Sequence, residues 1–213
     1  MDKNIMRILC AFQKRTFKMR IILASKSPRR RELLGVIGLD FEIKTSEADE
    51  SCDENAPERI VEILAERKGR AVEEAIRSEG GDLSDTLIIA SDTLVHVDGA
   101  VLGKPRDRDD ARKMLTSLSG REHYVSSGLY LSYEGRSVAS HDTTAVEFAA
   151  MTKEEIECYL DTSEPYDKAG SYGIQGIASL FIKGIRGDYF NVVGLPIRLL
   201  YEMADENFGI KLF

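Results

Sequence analysis

Short apolar runs separated by amphipathic stretches organise this chain. Six runs, at residues 20–25, 41–45, 86–91, 125–132, 137–148 and 177–185, have the length and residue types of strands. Other stretches carry helical spacing. Residues 57–77 place Ile60, Leu64, Ala71 and Ala75 on one face, and residues 109–118 and 195–206 form two more helices. Residues 152–160 open with T-K-E-E, in which Thr152 and Glu155 make a capping box. Early alternation of strand and helix, with longer strands in the middle, predicts an α/β protein with a mixed sheet and flanking helices.

The junction after the first strand adds chemistry to this pattern. In S-K-S-P-R-R-R-E-L-L, residues 25–34, Ser27 suits an N-cap and Pro28 the first helical position. The first turn then holds Arg29, Arg30 and Arg31, although the partial positive charge of a helix N-terminus favours acids. A phosphate at that end would accept from backbone N–H groups and neutralise the arginines together. Arginines splayed into solvent, or paired with Glu32 and nearby acids, would account for the same residues.

A chain of 213 residues, 43% hydrophobic and 31% charged, can bury a full core as one domain or two small lobes. Its net charge of -7 argues against a nucleic-acid or membrane-surface protein, and no apolar stretch is long enough to cross a membrane. Against that background a local arginine cluster carries more information. Cys10, Cys52 and Cys158 have no paired spacing, which predicts a reducing, cytoplasmic setting. Residues 1–19 are basic and lack a secretory apolar segment. They read as an N-terminal extension, disordered or not translated if synthesis starts at Met19, and residues 20–213 as the domain proper.

Three further polar clusters sit at the ends of apolar elements. Asp92 ends the strand Ile88-Ile89-Ala90-Ser91, a position that faces ligands in α/β folds, and Lys104 in Gly103-Lys104-Pro105 could reach an anion. Glu47, Asp49 and Glu50 could hold a divalent cation such as magnesium together with substrate phosphates, although a solvated acidic loop has the same composition. In D-K-A-G-S-Y-G-I-Q-G, residues 167–176, three glycines leave room for a ligand, and Gln175 offers both a donor and an acceptor to a nucleobase edge. There is no P-loop, no GxGxxG, no HExxH and no nucleophile elbow, and His96, His123 and His141 lack ligand spacing. Carboxylates, arginines and lysines remain, which favours metal-assisted attack on a phosphate ester.

In the order and spacing of IILASKSPRRRELL, ADES, LAERKGRAV, IIASDTLV, LGKP, MLTSLSGREHYV, EPYDKAGSYGIQG and GDYFNVVGLP, the chain resembles the Maf family of nucleoside triphosphate pyrophosphatases. The resemblance implies a fold related to inosine triphosphate pyrophosphatases, with a cleft between two lobes, and hydrolysis at the α-phosphorus to give monophosphate and pyrophosphate. It implies Asp92 as general base, Ser25, Arg30, Lys68 and Lys104 as phosphate-binding residues, and Glu50 and Asp92 as the carboxylates near a magnesium or manganese ion. Arg29, Thr93 and Gln175 match the specificity residues of the branch acting on dTTP and UTP; the 7-methyl-GTP branch has Trp, Gln and Glu there. The family also implies a homodimer. Gly69 stands where relatives commonly have Ala, a change expected to loosen its helix. A pyrophosphatase for modified or other nucleotides shares the same machinery, and a nucleotide-binding regulator of cell division would need the cations but not a base.

Overall fold

The computed structural model describes residues 19–45 and 47–212. The reading of residues 1–19 as an extension, and Cys10 with it, therefore falls almost wholly outside the described residues. The elements run β1 (Arg20–Leu23), α1 (Pro28–Val36), β2 (Glu42–Ile43), α2 (Pro57–Ser78), β3 (Thr86–Val97), β4 (Ala100–Leu102), α3 (Arg108–Leu118), β5 (Glu122–Tyr133), β6 (Arg136–Phe148), α4 (Lys153–Leu160), β7 (Ile182–Arg186), α5 (Tyr189–Val193) and α6 (Ile197–Phe208). Their strands form one mixed sheet in the order β2-β1-β3-β5-β6-β7, with β4 also on β3. β1 pairs in parallel with β2 and β3; the pairings from β3 onward are antiparallel. The α/β architecture with a mixed sheet and flanking helices is as the apolar pattern predicts.

β1 is apolar on both sides because helices cover both faces of the sheet. Ile22 and Ala24 pack with Ala65, Val72 and Ile76 of α2, whereas Ile21 and Leu23 pack with Leu33 and Leu34 of α1 and Leu200 and Met203 of α6. A third cluster joins Ala111, Leu115 and Leu118 of α3 to Ile156, Tyr159 and Leu160 of α4, over Val95, Val125 and Val146. Strand periodicity puts Val95 and Val125 on the same face as Ile89 and Leu129. The α1–α6 cluster and the α3–α4 cluster thus share one face of the sheet. Ser91, Thr93, Ser127 and Asn191 lie between them, a polar seam that interrupts the core.

Two strand readings need correction. The apolar run at residues 86–91 predicts a strand that stops at Asp92, but β3 continues to Val97 because β5 pairs with it through His96, opposite Tyr124. Asp92 is therefore mid-strand. The run at residues 177–185 predicts one strand, but 177–181 form a 3-10 turn and β7 begins at Ile182. The Glu164 carboxylate accepts from the N–H groups of Ile177 (2.7 Å) and Ala178 (3.2 Å), so those donors cannot join a sheet ladder. The capping box of Thr152 and Glu155 is present.

Gly69 lets α2 lie close on the sheet. A Cβ there would stand 2.2 Å from Cδ1 of the Tyr130 ring. At Gly128 a Cβ would stand 2.1 Å from the Val61 carbonyl oxygen, so α2 touches β5 at two glycine contacts. Helix propensity alone would favour Ala at residue 69 by about 1 kcal/mol. Overpacking against a buried ring costs about 1–3 kcal/mol, which outweighs that gain. Gly69→Ala is expected to lower unfolding free energy in urea, and pairing it with Tyr130→Leu to recover part of the loss.

The α3–α4 cluster contains a buried imidazole. His123 packs edge-on against Phe148 and Tyr172, with Nε2 2.7 Å from the Tyr172 hydroxyl and Nδ1 without a partner. Burial, helped by His96, pushes its pKa down to about 4 from 6.5. The unfolded chain therefore binds a proton that the folded chain refuses as pH falls below 6.5, and stability is lost over that window down to about 4. Between pH 6.5 and 5, above the carboxylate range, the loss attributable to His123 is about 2 kcal/mol. His96 is lowered in the same direction by its own burial. Urea unfolding should show the decline, and His123→Phe should reduce it.

Candidate active site

The cleft forms where β1 stops. β1 pairs with β3 as far as Leu23 opposite Ile89, and β4 takes up the same edge of β3 only at Val95. Between those points the edge of β3 has no neighbouring strand. A cleft of about 1210 Å³ opens there, and Ser25, Arg29, Arg30, Glu50, Lys68, Asp92, Thr93, Lys104 and Gln175 all line it. Every candidate site residue from the sequence thus reaches one cavity, from widely separated segments of the chain.

Alternation along β3 splits the chemistry between two faces. Asp92, 8% exposed, points to the α2 side, where the close approach at Gly128 brings Lys68 within reach. Lys68 Nζ lies 2.5 Å from Asp92 Oδ1 and 2.8 Å from Glu50 Oε1. Burial works against the Lys68 charge, but Asp92 and then Glu50 more than offset it, and its pKa is raised. The hydrogen bond from Lys68 holds the Glu50 carboxyl below its ordinary value. Lys104 acts on Glu50 in the same direction through space.

On the opposite face, the Arg30 guanidinium spans three acceptors. Nε donates to the Gly194 carbonyl (2.8 Å), Nη1 to Ser25 Oγ (3.1 Å) and Nη2 to Thr93 Oγ1 (3.0 Å). Gly194 has φ 122°, a left-handed backbone that turns its carbonyl toward Arg30 without side-chain strain. Ser91 Oγ donates to the same carbonyl, and Thr93 Oγ1 lies 2.9 Å from buried Ser127. This explains the arginines at the start of α1. A cation in the first turn costs roughly 0.3–1 kcal/mol, and three hydrogen bonds at about 0.5–1.5 kcal/mol each outweigh that for Arg30. Burial lowers the Arg30 pKa and Asp92 opposes the shift. Arg31 is exposed, and Arg29 Nη1 lies 3.6 Å from Asp167 across the cleft.

Ser27 occupies the N-cap position with extended backbone, but its side chain makes no capping bond; its N–H donates to Ser25 Oγ (3.2 Å). Of the acidic turn only Glu50 reaches Lys68. Glu47 pairs with Lys26, and Asp49 accepts from Ser51. Sequence reading missed Ser91, Ser127, Asn191, Gly194 and Glu164. The signal for Ser91 and Ser127 was a small polar residue inside an apolar strand. Nothing in the sequence marked the Gly194 carbonyl as an arginine acceptor.

No group of three or more His, Cys, Asp or Glu side chains among the described residues is placed to hold a metal ion. The donor set does fit magnesium or manganese bound partly by substrate. Such ions take one or two carboxylates and complete their shell with waters and phosphate oxygens. Glu50 and Asp92 come from different segments and both reach Lys68 Nζ, so two carboxylates stand close to one point in the cleft.

A family model described as Maf-like protein matches residues 20–207. The chain belongs to the Maf family. Among curated members, a dTTP/UTP pyrophosphatase of Desulforamulus reducens is 48% identical over 90% of this chain and 98% of its own. One of Symbiobacterium thermophilum is 45% identical over 91% and 96%, and one of Thermococcus gammatolerans 44% over 89% and 98%. A solved structure of the Staphylococcus aureus Ham1 protein overlaps 76% of this chain and 90% of that one, with TM-score 0.46 and 13% identity.

The lysine–carboxylate triad makes a direct test. Lys68→Met keeps much of the side-chain volume and removes the ammonium that lies between two carboxylates. The Glu50 carboxyl should then titrate at a higher pH than in the parent, read by carboxyl carbon NMR. An unchanged Glu50 titration would show that the pair is not formed in solution.

Proposed function

We infer that this Maf protein is a nucleoside triphosphate pyrophosphatase acting on dTTP and UTP. One observation carries the reading: residues far apart in sequence converge on one cleft with a carboxylate pair on one face of β3 and an arginine clamp on the other. Relatives named dTTP/UTP pyrophosphatases, similar over nearly their whole length, support it. No helix among the described residues is long and apolar enough to cross a membrane.

In this reading Asp92 accepts the proton of a water as its oxygen bonds to the α-phosphorus, and the bond from that phosphorus to the β-phosphate bridging oxygen breaks. Pyrophosphate leaves, and the nucleoside monophosphate remains. Arg30, held by three acceptors, presents its remaining N–H groups to phosphate oxygens, with Ser25 beside it; Lys68 and Lys104 add positive charge where the leaving group gains negative charge. Glu50 and Asp92 would hold a magnesium or manganese ion, which supplies charge neutralisation to the phosphates. Arg29 and Gln175, which both line the cleft, would face the base, and Thr93 braces Arg30.

Pyrophosphate release from dTTP, UTP, CTP, GTP and 7-methyl-GTP, with and without magnesium or manganese, tests this. Release confined mainly to dTTP and UTP and dependent on the cation is the expected result. Asp92→Asn should lower kcat by about 10²–10⁴-fold. Nucleotide binding without release from any substrate would replace the enzyme with a nucleotide-binding regulator.

A further inference from the structure

The loop bearing Gln175 is held by a residue to which the hydrolysis assigns no part. Glu164 lies in the 3-10 turn Glu164–Asp167 that follows α4. Its Oε2 accepts from the Ile177 N–H (2.7 Å), and its Oε1 accepts from the Ala178 N–H (3.2 Å) and the Tyr159 hydroxyl (2.9 Å). Both carboxylate oxygens are thus committed, two donors coming from the backbone just after Gln175 and one from α4.

The glycines around Gln175 complete the clamp. A Cβ at Gly176 would stand 2.2 Å from Glu164 Oε2, and one at Gly173 2.8 Å from Lys168 Cε. The loop therefore lies directly on these two side chains, and Lys168 in turn donates to the Glu164 carbonyl (2.8 Å). Gln175 itself sits between these contacts and faces the cleft. A carboxylate accepting backbone N–H groups makes charge-assisted bonds, roughly twice as strong as neutral ones.

We propose that Glu164 is a positioning residue for base selection: it holds residues 173–178 so that the Gln175 amide meets the pyrimidine edge in one orientation. The proposal rests on the reading of Gln175 as base-facing. Glu164 also lines the cleft, but both of its carboxylate oxygens are committed to the loop and to Tyr159, so its loss should weaken discrimination between bases more than chemistry at phosphorus.

The test compares kcat and KM for dTTP, UTP, CTP and GTP in four proteins: the parent, Glu164→Gln, Gly176→Ala and Gln175→Ala. Glu164→Gln retains one acceptor oxygen and replaces the other with donors; Gly176→Ala drives a methyl into the carboxylate from the loop side. Each should raise KM for dTTP and UTP and lower their preference over CTP and GTP by about tenfold or more, as expected for a misplaced orienting group. Glu164→Asp, too short to reach both N–H groups, should resemble Glu164→Gln. Gln175→Ala separates the two ideas. If it leaves the preference unchanged, the base-facing reading fails. If it lowers the preference while the Glu164 and Gly176 variants depress kcat/KM for every nucleotide in parallel, or change nothing, the positioning proposal is overturned.

Discussion

The site depends on a mismatch of strand lengths. β1 ends at Leu23, β3 runs on to Val97, and β4 covers only the last part of the exposed edge. A strand with both edges paired and both faces covered offers nothing to a ligand. Here the middle of β3 lies beside an open edge, so side chains of both faces reach one cleft. Asp92 comes from the α2 face and Thr93 from the α1 face, although they are adjacent in sequence.

Each face then makes its charges tolerable in a different way. On the α2 face the Lys68 ammonium lies between two carboxylates, and their attraction exceeds the desolvation that would otherwise lower its pKa. On the α1 face no carboxylate among the described residues forms an ion pair with the Arg30 guanidinium; it donates to a carbonyl and two hydroxyls. Arg suits that position because its charge survives burial and its planar fork meets several acceptors at once. In the function proposed above, substrate phosphates would complete the arginine side, and a bound cation would share the carboxylates with Lys68.

The polar seam of Ser91, Thr93, Ser127 and Asn191 has an architectural consequence as well. It separates two apolar clusters on one face of the sheet, and small hydroxyl residues there brace Arg30 where large apolar ones would close the cleft. Asn191 donates to the Val125 carbonyl and to Thr144, which ties α5 and the Gly194 turn to the sheet.

Much of this protein was legible in its sequence. Apolar periodicity is a local property, so most of the helices and strands could be read directly, although α5 was not, and the capping box of Thr152 and Glu155 followed from two residues. The motifs also named the residues that line the cleft, because motif residues keep their order along the chain. What could not be read locally depended on partners distant in sequence. β3 runs through Asp92 because β5 pairs with it, residues 177–181 leave the sheet because Glu164 takes their N–H groups, and Gly69 is a packing contact because Tyr130 stands opposite. The sequence by itself singled out nine side chains that the fold brings to one cleft. Only the tertiary structure decided that Arg30 points inward to Gly194 while Arg31 stays in solvent, since a helix turn offers the same local energy to both and two of the three acceptors of Arg30 come from β3 and the loop before α6.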